Sequence, residues 1–334
     1  MKQQQIQYCT SPDGVRLAYS VMGKGTPIVR AAHWLTHLEY DLKSPVWRHF
    51  VLGLAHRHTL IRYDARGEGL SQRYVGEISF DKWLTDLETV ADAAKLDRFI
   101  LLGVSQGASV SVAYAVRHPE RVTKLILHGG FARGFLLAGD PEKQAQTLDL
   151  TRAIVREGWG REEDAYRQWF TSQFIPEATT EQARWFNELE RVSATPEVAE
   201  RHLVASAKID VADLLPKVRT PTLVTHARGD LRIQFWRGQE LASGIPGAKF
   251  VPLEGKNHLF LANEPAHRAF FEAVAAFLGD PPIRGALPGT ASTMQRFEES
   301  IHNLEQNWLM KVVAILAAIT GLAIFFVEIW NMWH

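Results

Sequence analysis

The chain is poor in cysteine, in net charge and in low-complexity sequence, and each shortage excludes something. One cysteine in 334 residues, Cys9, rules out an intramolecular disulfide and suits a reducing compartment. Thirty-seven basic residues cancel thirty-seven acidic ones, so no strong field favours nucleic acid or an acidic partner. Internal repeats and low-complexity tracts are absent. The opening stretch, MKQQQIQYCTSPDGVRLAYS, has no apolar core of the length a secretory signal needs.

Long apolar runs are also missing, except at the far end. Between Leu309 and Trp330 the only charged residues are Lys311 and Glu328. Twenty-two helical residues span roughly 33 Å, enough for a hydrocarbon core of about 30 Å. Trp308, Trp330 and Trp333 fall where aromatic belts form, and both charged side chains can snorkel to the interface. A buried core helix is the competing reading, but no other segment is left to cover it. The expectation is a transmembrane helix over 309–330 in a single-pass membrane protein. Arg284, Arg296 and Lys311 precede its uncharged stretch, Val312 to Val327, which places the catalytic domain in the cytoplasm by the positive-inside rule. Over 293–308, Met294, Phe297, Ile301, Leu304 and Trp308 recur at spacings of three and four. That juxtamembrane seam runs on through Ile315, Ala318, Leu322 and Phe325, and it predicts a parallel homo-oligomer, most simply a homodimer.

The remainder alternates strand and helix. PIVRAAH, HTLIRYD, RFILLGVS, VTKLILHGG, TPTLVTHARGD and AKFVPLEGKNH read as strands, and 81–96, 107–118 and 265–278 read as helices. That order predicts an α/β fold with a mostly parallel sheet covered on both faces. From 131 to 213 the alternation stops and helical spacing takes over, with Trp159, Trp169, Phe170, Phe174, Trp185 and Phe186. The reading is a core over 1–130 and 214–278, a helical lid insertion over 131–213, and a Pro/Gly linker over 279–292.

Gly103-Val104-Ser105-Gln106-Gly107 fits G-x-S-x-G between a predicted strand and a predicted helix. Such a turn lifts the hydroxyl above the sheet edge and aims helix N–H groups at a developing oxyanion. A serine hydroxyl needs a base, and the base needs an orienting acid. Asp230 closes one late strand, and His258 sits in the loop after the next. Asp210 and Asp213 lie upstream of the strand, and Glu254 is close in sequence to His258; all three are weaker candidates for the acid.

The order Ser, Asp, His, together with YDARGEGLS (63–71) and NHLFLANEP, resembles the α/β-hydrolase family over about residues 8–278. The loop HWLTHLEYDLKSPVWRHF is similar to bacterial members found alone or joined to signalling modules such as nucleotide cyclases. The resemblance implies a nucleophile at Ser105, a base at His258, an acid at Asp230, and structural roles for Asp64 and Arg66. It implies oxyanion donors at the backbone N–H groups of Trp34 and Gln106. One departure stands out: Ala32-His33 occupies the place where the family has His-Gly, which narrows the expected pocket. No cofactor or metal is expected; His33 and His37 stand four apart but lack a third ligand, and the pair His56 and His58 reads as surface loop. The implied activity is a membrane-anchored serine hydrolase on a small-molecule ester or related acyl substrate. The alternative is a ligand-sensing domain of the same fold that signals through an oligomeric membrane helix with little turnover.

Overall fold

A computed structural model describes residues 4–159, 161 and 164–289. The helices expected over 293–308 and 309–330 lie outside the described residues. Among the described residues no helix is long and apolar enough to cross a membrane.

An eight-stranded sheet forms the centre, in the order β1-β2-β4-β3-β5-β6-β7-β8. Its strands are β1 (Gln5–Thr10), β2 (Arg16–Gly23), β3 (Pro27–Arg30), β4 (Thr59–Tyr63), β5 (Phe99–Val104), β6 (Val122–His128), β7 (Thr222–Ala227) and β8 (Lys249–Leu253). The pairs β1/β2 and β2/β4 are antiparallel, and the others are parallel. Composition follows position. Central β5, FILLGV, is buried at every residue, as a parallel strand covered on both faces must be. Edge strands β1 (QIQYCT) and β8 (KFVPL) carry the polar residues and the proline that discourage further pairing.

Alternate residues of each strand feed different cores. Ile100, Leu102 and Val104 of β5 join one cluster with Phe50, Phe270 and Val274. Phe99 and Leu101 join the other with Trp83, Leu87, Val110 and Leu241. The helices α2 (Arg48–Ala55) and α10 (Pro265–Leu278) thus cover one face. Three others, α3 (Phe80–Ala93), α4 (Gln106–Arg117) and α9 (Phe235–Gly244), cover the opposite face. For uniform numbering, α1 is the short helix Leu38–Lys43. Local signals set the helix ends. Ser79 caps α3 by accepting from Lys82 N, and Gly279 ends α10 at φ +82°.

Between β6 and β7 the chain leaves the sheet for α5 (Pro141–Gly158), α6 (Asp164–Phe174), α7 (Thr180–Ser193) and α8 (Pro196–Ala207). The neck of this excursion is a small antiparallel bridge, with Gly134 N–H donating to Ile209 O (2.7 Å) and Val211 N–H to Ala132 O (2.9 Å). Sequence polarity starts each helix: Asp140 and Thr195 cap ahead of a proline, and Thr179 with Gln182 forms a capping box. Trp159, Phe170, Phe174 and Phe186 are buried in the first core cluster, so these helices pack continuously onto the domain.

Beyond α10, the chain over 280–287 lies against the domain. Asp280 meets His58 Nε2 at 2.9 Å, and Arg268 donates to Ile283 O and Gly285 O at 3.3 Å each. The surface reading therefore holds for His56, which is exposed, and fails for His58, which is buried because this returning segment covers it.

Candidate active site

Ser105 stands at the carboxyl end of β5, directly before α4, with φ +53° and ψ −125°. A non-glycine residue at that φ is strained, and the surroundings hold it there by close packing. A Cβ on Gly103 would lie 2.5 Å from Ala108 Cα, and one on Gly130 would lie 2.3 Å from Ala108 Cβ. The turn therefore requires the glycines at the approach of α4. Ser105 N–H is tied to His128 O at 2.9 Å, which fixes the turn to the neighbouring strand.

His258 and Asp230 meet above this turn. His258 Nδ1 lies 2.7 Å from Asp230 Oδ2, and the two residues are 1 % and 6 % exposed. Asp230 Oδ1 accepts from the backbone N–H groups of Arg232 and Ile233, each at 2.8 Å. Burial alone would raise the Asp230 carboxyl. The imidazoles of His258 and His226 outweigh it and hold the group well below the ordinary carboxylate range. His258 Nε2 is buried with no hydrogen-bond partner among the described residues. It faces a cavity of about 290 Å³ that Ser105 and His258 both line. The sequence candidates Asp210 and Glu254 are elsewhere engaged, with Arg133 at 3.8 Å and Arg228 at 2.8 Å.

Gln106 and Trp34 also line this cavity. Gln106 begins α4, so its N–H has no intrahelical acceptor. Trp34 N–H likewise has no acceptor among the described residues. The loop carrying Trp34 is held by Glu68, fully buried, whose carboxylate accepts from Leu35 N (3.2 Å), Thr36 N (2.8 Å) and Thr36 Oγ1 (2.8 Å). Leu35 accordingly adopts φ +67°. Glu68 was not among the sequence candidates; its signal is its place inside YDARGEGLS. In the same loop Asp64 accepts from Leu38 N and Leu70 N at 3.2 and 2.8 Å, and Arg66 pairs with Asp86 at 2.6 Å.

The two histidines of the Trp34 loop have separate tasks. His33 stacks on Trp47 at 4.8 Å and bonds Trp34 O through Nδ1 at 2.8 Å, whereas His37 accepts from Tyr40 N as the cap of α1. The bulk of Trp34 is directed to the inserted helices. Its indole stacks on Trp159 at 5.5 Å and meets Phe170 edge-on at 5.6 Å. The insertion also grips the histidine loop: Phe174 O accepts from His258 N at 2.8 Å, and the Phe174 ring meets the imidazole edge-on at 5.6 Å.

The general model of the alpha/beta hydrolase fold matches residues 41–265. The chain belongs to the α/β-hydrolase family. This hydrolase is 28 % identical over 277 residues to a putative carbamate hydrolase, RutD, of Azorhizobium caulinodans, covering 79 % of this chain and 95 % of that one. It is similar in fold to a hydrolase of Pseudomonas aeruginosa, with a TM-score of 0.69, 24 % identity and coverage of 82 % and 98 %. An esterase of Exiguobacterium antarcticum superposes with a TM-score of 0.68 at 22 % identity, covering 83 % of this chain and all of that one.

Proposed function

We propose that this hydrolase is a serine enzyme that opens an ester, or a related amide or carbamate, through an acyl-enzyme intermediate. The observation that carries the reading is the buried His258–Asp230 pair at 2.7 Å, with its unpaired Nε2 facing the cavity that holds Ser105. Ser105 Oγ attacks the acyl carbon while His258 Nε2 takes the hydroxyl proton, and Asp230 fixes the tautomer of the neutral ring and stabilises the imidazolium that forms. The carbonyl oxygen becomes an anion received by the N–H groups of Gln106 and Trp34. Collapse breaks the bond to the leaving oxygen or nitrogen, which takes that proton from His258. Water, deprotonated by the same imidazole, then attacks the acyl carbon; the bond to Ser105 Oγ breaks, Oγ takes the proton from His258, and the acyl group leaves as a carboxylic acid, or as a carbamic acid where it is a carbamoyl group. The carbamate hydrolase relative and the esterase-like fold support this substrate class.

The inserted helices act as a lid on the cavity, with Trp169, Phe174 and Phe186 in its lining and Trp159 and Phe170 packed behind Trp34. Membrane anchoring through 309–330, and dimerisation through 293–308, complete the proposal on the strength of the sequence pattern. Steady-state hydrolysis of methyl esters of increasing chain length, compared between wild type and Ser105→Ala, tests the activity. Repeated turnover dependent on Ser105 is expected. Binding without turnover would favour a sensing role instead.

A further inference from the structure

The cavity beside Ser105 is lined by aromatic rings, Trp34 and Phe174 among them, and by two guanidinium groups, Arg232 and Arg237, with glutamine side chains. Arg232 donates to Gln173 Oε1 at 3.0 Å, and its Cζ lies 5.9 Å from the Trp34 ring and 5.1 Å from the Phe174 ring. Arg237, 7 % exposed, donates to Gln234 Oε1 at 3.1 Å and to Arg133 O at 2.6 Å. Neither is ion-paired with a carboxylate among the described residues. Glu240, on the same helix as Arg237, is taken by Arg133 at 2.8 Å.

Withdrawing a guanidinium from water without an anion is costly. Burial lowers Arg232 from its ordinary value to about 10, with the Asp230 carboxylate acting in the opposite sense, and it lowers Arg237 in the same direction against Glu240. Among the described residues the buried Arg66 and Arg62 have a carboxylate at ion-pair distance, Asp86 and Asp41. The buried Arg237 and the half-buried Arg232 at the cavity have none at that distance. Position adds to the case. Arg232 follows Asp230 by two residues, and the ring it covers, Phe174, is the ring that touches His258. Arg232 therefore stands one aromatic ring from the imidazole.

We propose that the substrate carries a carboxylate in addition to its scissile acyl bond, and that Arg232 receives this carboxylate, with Arg237 as a second cation lining the same cavity. The planar fork suits a two-oxygen anion, and the aromatic rings keep water from screening the pair. The inference rests on the hydrolase reading and narrows its substrate class to anionic acyl compounds such as half-esters of dicarboxylic acids.

The test compares monomethyl succinate, glutarate and adipate with methyl butyrate, valerate and hexanoate on the full chain. Wild type is expected to favour at least one half-ester over its neutral counterpart by tenfold or more in kcat/KM. Arg232→Gln should reduce that ratio at least tenfold, mainly through KM, and Arg232→Lys should keep part of it. In parallel, glutarate binding to Ser105→Ala is followed by calorimetry, with and without Arg232→Gln. Glutarate binding that needs Arg232, in a protein that turns over neither ester class, would support the anion site and overturn the hydrolase reading. Neutral esters turned over as well as half-esters, or a half-ester preference that survives Arg232→Gln, would overturn the anion site alone.

Discussion

His258 Nδ1 and Asp230 Oδ2 lie 2.7 Å apart in a buried pair whose second carboxylate oxygen is saturated by two backbone N–H groups. The carboxylate has no freedom to turn away, so its charge and its aim are fixed together. Asp230→Asn keeps one oxygen for the backbone donors but loses the anion that orients the imidazole. The variant should fold, as judged by circular dichroism, and lose on the order of 10⁴-fold in kcat on any methyl ester that wild type hydrolyses.

Glu68 makes a separate prediction. Its buried carboxylate is the acceptor for Leu35 N and Thr36 N, which hold the loop presenting Trp34 N–H. Burial raises its carboxyl to about 7, while the donors from Thr36 and Leu35 favour the charged form. Glu68→Ala should cost about 1–3 kcal/mol in chemical denaturation by leaving those donors unpaired. It should also lower kcat more than KM if the loop serves the oxyanion. Glu68→Gln, which keeps one acceptor oxygen, should recover part of both.

Acid should meet four rings that resist protonation. Burial holds His33, His49 and His128 at about 3 and His202 at about 4, all below the ordinary value near 6.5. The unfolded chain binds protons there that these rings refuse between those values. Their share of stability is therefore full above about pH 6.5 and falls as pH drops toward 3–4, by roughly 1 kcal/mol each at pH 5.5, while the raised carboxyls of Asp64 and Glu68 act in the opposite sense. Imidazole titration by NMR in the folded protein checks this: all four rings should stay neutral at pH 5.5, and rings that take up a proton above pH 5.5 would contradict their burial.

Much of the site was legible because its chemistry is written in local patterns. The glycines around Ser105 and the strand-end positions of Asp230 and His258 follow from a turn and a sheet that the alternation of apolar runs already implies. What stayed hidden depends on contacts between distant segments. Glu68 reads as one more loop acid until the fold buries it under Thr36, and His58 reads as surface until residues 280–287 return across it. His226 reaches Asp230 at 3.4 Å from the strand before it, with no motif to announce the contact. Arg232 looks solvated in the sequence, because its cavity is closed by helices inserted about sixty residues earlier. Helix α9 was missed for a simpler reason: FWRGQELASG carries two glycines that depress helical propensity.

The segment beyond 289 makes its own prediction. If 309–330 spans the bilayer with the hydrolase domain in the cytoplasm, that domain should resist protease in intact spheroplasts and be digested once they are lysed. Single cysteines at 297, 301 and 304 in a Cys9→Ser background should crosslink between chains more readily than at 299 or 303. A flat crosslinking profile would remove the dimer from the proposal and leave the anchor.

The central claim is that Ser105 is a nucleophile activated by His258, and a fluorophosphonate probe followed by peptide mass spectrometry tests it most directly. The account predicts one adduct, on Ser105, absent in Ser105→Ala and strongly slowed in His258→Ala, which removes the base. Labelling at the same rate in wild type and Ser105→Ala, or an adduct on another residue, would contradict it.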